Sequence, residues 1–277
     1  MLGSRLAPAE DTISRTTGTE LVRSIAVVGI AGLVTGIAVG GIGSRLFMRI
    51  SGAAAGAAAQ GATTEAGETV GAITLEGTMG LVIFVGIGTG IFGAVFYATF
   101  RPWLAWAGRY RGLAFGVVLF AVTSATSDVL NPDNFDFALL ENRALNVTLI
   151  VLLFLGFGLV MDLMVGVLGR RLPAGDEHHM GARVAYGAIT GLGVMIALLG
   201  MPPLLFSPSC DCDAPIIASL FVVVTAVGTL ALWAAEIGGR SDRSLSIARI
   251  LGLSGLAGTL VFGLWRAGSD AAAILTA

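Results

Sequence analysis

The chain has 277 residues, of which 55% are hydrophobic and only 12% charged, with a formal net charge of −2. Soluble domains carry about 25% charged residues, so this composition, with a mean hydropathy of +0.88, is typical of a protein dissolved in lipid. The weak negative charge excludes a basic surface for nucleic acid, and the absence of lysine excludes any mechanism that needs a lysine Schiff base.

Seven apolar stretches predict membrane-spanning helices, at 21–42, 78–100, 112–127, 144–168, 184–201, 214–235 and 247–265. The fourth is the clearest, because 25 helical residues cover about 37 Å and a hydrocarbon core is about 30 Å thick. The predicted fold class is an all-α polytopic transmembrane bundle. Its expected regions are a cytoplasmic N-terminal segment (1–20), the bundle (21–268) and a short outer C-terminal tail (269–277).

The arginines predict the orientation of the bundle. Four segments expected at the cytoplasmic ends carry three arginines each, twelve of the 16: Arg5, Arg15, Arg23, Arg101, Arg109, Arg111, Arg170, Arg171, Arg183, Arg240, Arg243 and Arg249. By the positive-inside rule this bias places the N-terminus inside and the C-terminus outside, as a multi-pass protein of the cell (inner) membrane. Arg45 and Arg49 would then lie outside, on a first helix that continues past the membrane surface.

Glycines recur at steps of four or eight residues in several spans, which places them on one helix face and lets another backbone approach closely. The glycines predicted to pack helices are Gly32, Gly36, Gly40, Gly86, Gly90, Gly158, Gly166, Gly187 and Gly191. Their number suggests contacts with a second copy or with other membrane chains as well as within the bundle.

Asp162 is the one ionisable side chain inside the fourth span. An aspartate near the bilayer centre costs about 2.5–3.5 kcal/mol on insertion scales, so its presence there requires a functional or structural explanation. Gly158 and Gly166 lie on the same face, which predicts that Asp162 points into the bundle. It is either a site for a proton, cation or ligand, or a structural aspartate that is neutral or paired with an arginine or a hydroxyl group. No second acid lies well inside a span, as a proton relay would need.

Metal sites are only weakly indicated, and no cofactor can be named. Asp128, Asp133 and Asp136 offer oxygen ligands for Ca²⁺, but their spacing does not fit an EF-hand, and a capped turn is the more ordinary interpretation. The sequence DEHH at 176–179 lacks the spacing of a zinc signature. The sequence CDCD at 210–213 could also bind a metal, although unpaired thiols or links to a partner fit it equally well, and the two sequences are expected on opposite sides of the membrane.

The sequence GLSG at 252–255 resembles the GxSG motif of rhomboid intramembrane proteases, with Ser254 in place of the nucleophile. That resemblance implies a histidine on a later helix, whereas both histidines precede Ser254 and lie in a loop. Without a base the serine is not activated, so we expect helix packing here and no enzyme activity.

Two functional hypotheses follow. The first is a non-catalytic membrane subunit or scaffold that associates with itself or with other membrane proteins through its glycine faces. The second is a small secondary transporter or channel for an ion or small solute, in which Asp162 is the intramembrane coupling group.

Overall fold

The structure is a computed structural model that describes residues 18–63, 75–127, 129–134, 137, 140, 142–173, 180–206, 215–238 and 242–276. These ranges contain helices and turns and no β-strand. Their long helices are α1 (Gly18–Ala54), α2 (75–100), α3 (Arg111–Thr126), α4 (Arg143–Arg171), α5 (Met180–Phe206), α6 (Pro215–Gly238) and α7 (Asp242–Thr276). A short helix, Gly56–Ala59, follows α1, and a 3₁₀ segment, Arg101–Tyr110, joins α2 to α3.

Six helical stretches of the described chain are long and apolar enough to cross a membrane. Five of them are α1, α4, α5, α6 and α7, and the sixth, Gly77–Thr126, contains both α2 and α3. The prediction of an all-α membrane bundle is therefore confirmed, and the chain is a multi-pass membrane protein. The number of crossings and their orientation stay predictions.

The chain turns back between α2 and α3. Gly108 adopts a φ of +50°, a region that favours glycine, and interrupts the helical path. The rings of Tyr97 and Phe115 meet edge to face with centroids 4.9 Å apart, although a straight helix would separate these residues by about 27 Å. The two helices therefore form an antiparallel hairpin at this end.

Three helices extend further than the apolar pattern indicates. The first continues to Ala54 through Arg45 and Arg49, as expected. The fifth apolar stretch ends at residue 201, but α5 continues through Pro202 and Pro203 to Phe206. The fixed φ of proline fits a helix, and each missing N–H removes a single hydrogen bond near the helix end. The last helix runs to Thr276, so the C-terminal tail is helical over 269–276.

Glycines bring α1 and α2 into backbone contact. A Cβ added at Gly36 would overlap the carbonyl oxygen of Gly86, and one at Gly90 would lie 2.6 Å from the carbonyl oxygen of Gly32. Both helices contain a π-helical stretch at this crossing, Gly36–Gly43 in α1 and Leu81–Gly86 in α2. These wider turns are uncommon and often occur at functional sites.

Glycines also bring α3 close to α4, and α6 close to α7. On α3, a Cβ at Gly116 would lie 2.7 Å from the carbonyl oxygen of Phe154 on α4. A Cβ at Gly228 on α6 would lie 2.8 Å from the Cα of Gly252 on α7. Contacts this close replace the hydrophobic drive that lipid does not supply between helices.

Hydrogen bonds join the helix ends that carry most of the arginines. Arg23 on α1 donates to the carbonyl oxygens of Gly169 at 2.7 Å and of Leu172 and Pro173 at 2.9 Å. A cation in this position satisfies carbonyls that the end of α4 leaves unpaired. We call this side of the bundle the arginine-rich end; it carries Arg23, Arg101, Arg109, Arg111, Arg170 and Arg171.

Candidate functional site

The carboxylate of Asp162 on α4 accepts hydrogen bonds from two other helices. Its Oδ1 accepts from Nε of Arg111 on α3 at 2.7 Å and from the hydroxyl of Tyr97 on α2. The side chains of Arg111 and Asp162 are 30% and 20% exposed. The ion pair therefore lies at the edge of the core, and Asp162 has both an arginine and a hydroxyl partner.

Close packing of α3 and α4 makes this cluster possible. A Cβ at Gly112 would lie 3.1 Å from the Cβ of Asp162, so a larger residue there would crowd the carboxylate. Gly158, one turn before Asp162, packs directly on Gly112 and Gly116. The cluster thus depends on Gly112 of α3 and Gly158 of α4, which let the two helices touch beside Asp162.

A cavity of about 300 Å³ opens beside the cluster at the arginine-rich end; we call it the vestibule. Its charged lining residues are Arg101, Arg111 and Glu236, and its walls are otherwise mostly apolar, with Trp233 and Pro102 among them. Within the described chain, neither the side chain of Arg101 nor that of Glu236 takes part in a hydrogen bond or an ion pair. The vestibule therefore holds two unpaired charges of opposite sign next to the paired Arg111.

A second cavity, of about 260 Å³, lies towards the other end of the bundle among α1, α2, α3 and α4; we call it the groove. It is almost entirely apolar, with aromatic rings from Phe92, Phe96 and Phe157 and a few hydroxyl groups, among them Thr89. The π-helical stretch of α1 contributes Val39 and Gly40 to its wall.

Tyr97 lies on α2 between a residue that lines the groove and one that lines the vestibule. Along α2 the groove ends at Phe96 and the vestibule begins at Ala98. Tyr97 between them is fully buried, and its hydroxyl is the group bonded to Asp162. Of the three groups in the cluster, Arg111 lines the vestibule, whereas Tyr97 and Asp162 line neither cavity.

The glycines singled out in the sequence differ in their surroundings. Gly32, Gly36, Gly40, Gly86, Gly90 and Gly158 lie against neighbouring helices. A Cβ at Gly166 would meet only Arg170 of its own helix, at 3.6 Å, and one at Gly187 or Gly191 would meet nothing within 4 Å. At Gly187 and Gly191 the surface of α5 is therefore not covered by any of the described residues.

The candidate metal ligands are not brought together in the described residues. Asp128 and Asp136 lie outside them, as do 176–179 and 210–213. The backbone N–H of Asp133 donates to Oδ1 of Asn131 at 2.8 Å, the pattern of a capped turn. Ser254 is exposed on α7, and its hydroxyl donates to the carbonyl oxygen of Leu251 in the same helix.

Sequence reasoning missed Tyr97, and it treated Arg101 and Arg111 only as arginines at the cytoplasmic ends of the spans. Tyr97 is 65 positions from Asp162 and Arg111 is 51 positions away, so no local pattern links them. The available signal was chemical, because a buried aspartate needs a partner and Arg111 is an arginine at a predicted span boundary.

Comparisons with protein-family models, with curated proteins and with solved structures found no match.

Proposed function

We propose that the chain is a secondary transporter for a small charged solute, with Asp162 as its intramembrane coupling group. The observation that supports this most is that Asp162 contacts Arg111, which lines the vestibule, and Tyr97, whose neighbours along α2 line the groove on one side and the vestibule on the other. An ionisable residue within a membrane span is by default a functional candidate, and this one pairs with Arg111, which lines a cavity that a solute can enter.

The charges of the cluster suggest how coupling works. While Asp162 is ionised, it neutralises Arg111 and holds the hydroxyl of Tyr97. A proton on the carboxylate removes the negative charge and leaves Arg111 without its counter-ion, which is costly away from bulk water. An anionic group of the solute can then replace the carboxylate at Arg111. Proton binding and solute binding therefore favour each other, as linkage requires.

We propose seven crossings with the arginine-rich end in the cytosol, because Arg101 and Arg111 on the α2–α3 turn lie at the same end as Arg170 and Arg171. The vestibule then faces the cytosol and the groove faces the outer leaflet.

A cysteine introduced between 176 and 179 is expected to be shielded from an impermeant thiol reagent in intact cells, and one at position 68 to be labelled. The comparison uses a background without Cys210 and Cys212, and the reverse pattern would refute this orientation.

Uptake by the purified protein in liposomes tests transport itself. Small radiolabelled carboxylates, amines and zwitterions are offered outside, with a pH gradient imposed across the membrane, and protein-free liposomes give the background. At least one class is expected to accumulate above background. If none does, in either gradient direction, the chain is not a transporter of this kind.

A membrane subunit is the second candidate, and one observation favours it. In the most apolar stretch of α5 only 6% of residues are buried inside the chain, against 50% in α1. The open face includes Gly187 and Gly191, where a partner helix could approach closely. The mass of the particle in mild detergent tests this proposal, and a monomer with no copurifying chain would count against it.

A further inference from the structure

When Asp162, the partner of Arg111, is counted with the charged lining residues of the vestibule, the charges sum to zero. Arg111 is matched by Asp162, which leaves Arg101 and Glu236 as one positive and one negative side chain that line the same cavity without an ion-pair partner among the described residues. An electroneutral site of this kind favours neither a simple anion nor a simple cation. It is complementary to a molecule that carries both charges.

The two unpaired groups come from different parts of the fold. Arg101 is the first residue of the segment that joins α2 to α3, and Glu236 is in the last turn of α6. They do not form an ion pair with each other, although both line the vestibule. A ligand with a carboxylate and an ammonium group on a short linker could therefore bind both residues at once.

The remaining walls limit the size and kind of linker. Leu21, Ile25 and Val28 of α1 give one apolar side, and Trp233 beside Glu236 offers an aromatic ring of the type that attracts ammonium groups. A volume of about 300 Å³ is at the small end of ligand pockets. The lining therefore fits a short aliphatic zwitterion better than a nucleotide or a lipid.

We infer that the vestibule binds a small aliphatic zwitterion, its carboxylate at Arg101 and its ammonium group at Glu236. This inference depends on the proposed transport function and names the substrate class for the same site. Loading begins at Arg101 and Glu236, and passage to the groove requires the carboxylate to move to Arg111 as Asp162 takes up a proton.

Binding to the full-length protein in detergent, measured by calorimetry, tests the inference with three probes of matched chain length. γ-Aminobutyrate carries both charges, butyrate carries only the negative charge, and butylammonium carries only the positive charge. The zwitterion is expected to bind at least about tenfold more tightly than either single-charge probe, because each charge-assisted hydrogen bond contributes about 1.5–3 kcal/mol.

Variants assign the two ends of the ligand. Arg101→Gln and Glu236→Gln are each expected to weaken γ-aminobutyrate binding by about tenfold or more. Arg109→Gln is the matched control, since Arg109 contacts Tyr110 at the same end and does not line the vestibule. Equal affinity for butyrate and γ-aminobutyrate, no saturable zwitterion binding, or unchanged binding by both glutamine variants would overturn the inference. Uptake of some other solute that needs Asp162 would still uphold the proposed transport function.

Discussion

Gly36→Ala is expected to prevent stable assembly of the bundle. The new Cβ would overlap the carbonyl oxygen of Gly86 and the backbone of Gly90, so α1 and α2 would have to separate. Overpacking of this kind costs about 3 kcal/mol, and backbone atoms cannot move aside as a flexible side chain could. The measurement is the melting temperature and the monodisperse yield in detergent, both of which are expected to fall sharply.

The matched control is Gly191→Ala on α5, where an added Cβ meets nothing within 4 Å. Alanine has a higher helix propensity than glycine by up to about 1 kcal/mol, so this variant is expected to be as stable as the wild type or slightly more stable. Because alanine favours the helix at both positions, a loss of stability in Gly36→Ala alone must come from the contact between α1 and α2. Equal stability of the two variants would show that α1 and α2 do not pack as described.

Asp162→Asn is expected to abolish accumulation of solute driven by a pH gradient. Asparagine keeps the shape of aspartate and an oxygen that can accept from Tyr97 or Arg111, but it neither carries charge nor takes up a proton. Arg111 borders the vestibule and can be solvated there, so the variant is expected to fold. Uptake at the protein-free background, in a variant with a wild-type elution profile, is the expected result.

Asp270→Asn provides the control for removing a paired aspartate. Asp270 accepts from Nε of Arg266 at 3.2 Å within α7, and it lines neither the vestibule nor the groove. Its replacement is expected to leave uptake unchanged. If both variants lose uptake equally, the effect is a general one of lost ion pairs and does not identify Asp162 as the coupling group.

The membrane helices could be predicted from the sequence because lipid imposes one rule on every residue of a span. A run such as 144–168 must satisfy its own backbone and expose apolar side chains, so hydropathy alone finds it. The turn between α2 and α3 was located between two apolar runs for the same reason. Its internal form was not predicted, because the 3₁₀ segment depends on the packing of Trp103 and Leu104, both buried in the core.

Glycine stripes show where a close approach is possible, but not which helix approaches. Gly36 on α1 and Gly191 on α5 each belong to a series of glycines spaced four residues apart. The first touches α2, whereas the second faces open space. The order of helices around the bundle decides between these outcomes, and that order depends on contacts between distant segments. A single sequence therefore does not contain a local signal for it.

The candidate site, too, could be predicted only in part from the sequence. Asp162 was found because a charge in a long apolar run costs several kcal/mol wherever the run packs. The vestibule was not found, since its lining comes from α1, the end of α2, the turn that follows, the start of α3 and α6, whose residues share no periodicity. Tyr97 reads as an ordinary aromatic residue until the fold brings it to the carboxylate.

The decisive measurement is the number of protons that enter proteoliposomes with each solute molecule. Wild-type protein is supplied with a solute gradient and no imposed pH gradient, and internal pH and radiolabelled solute are recorded together. If Asp162 couples the two, solute entry drives acidification in fixed proportion. Solute entry without any proton movement would contradict the coupling role of Asp162.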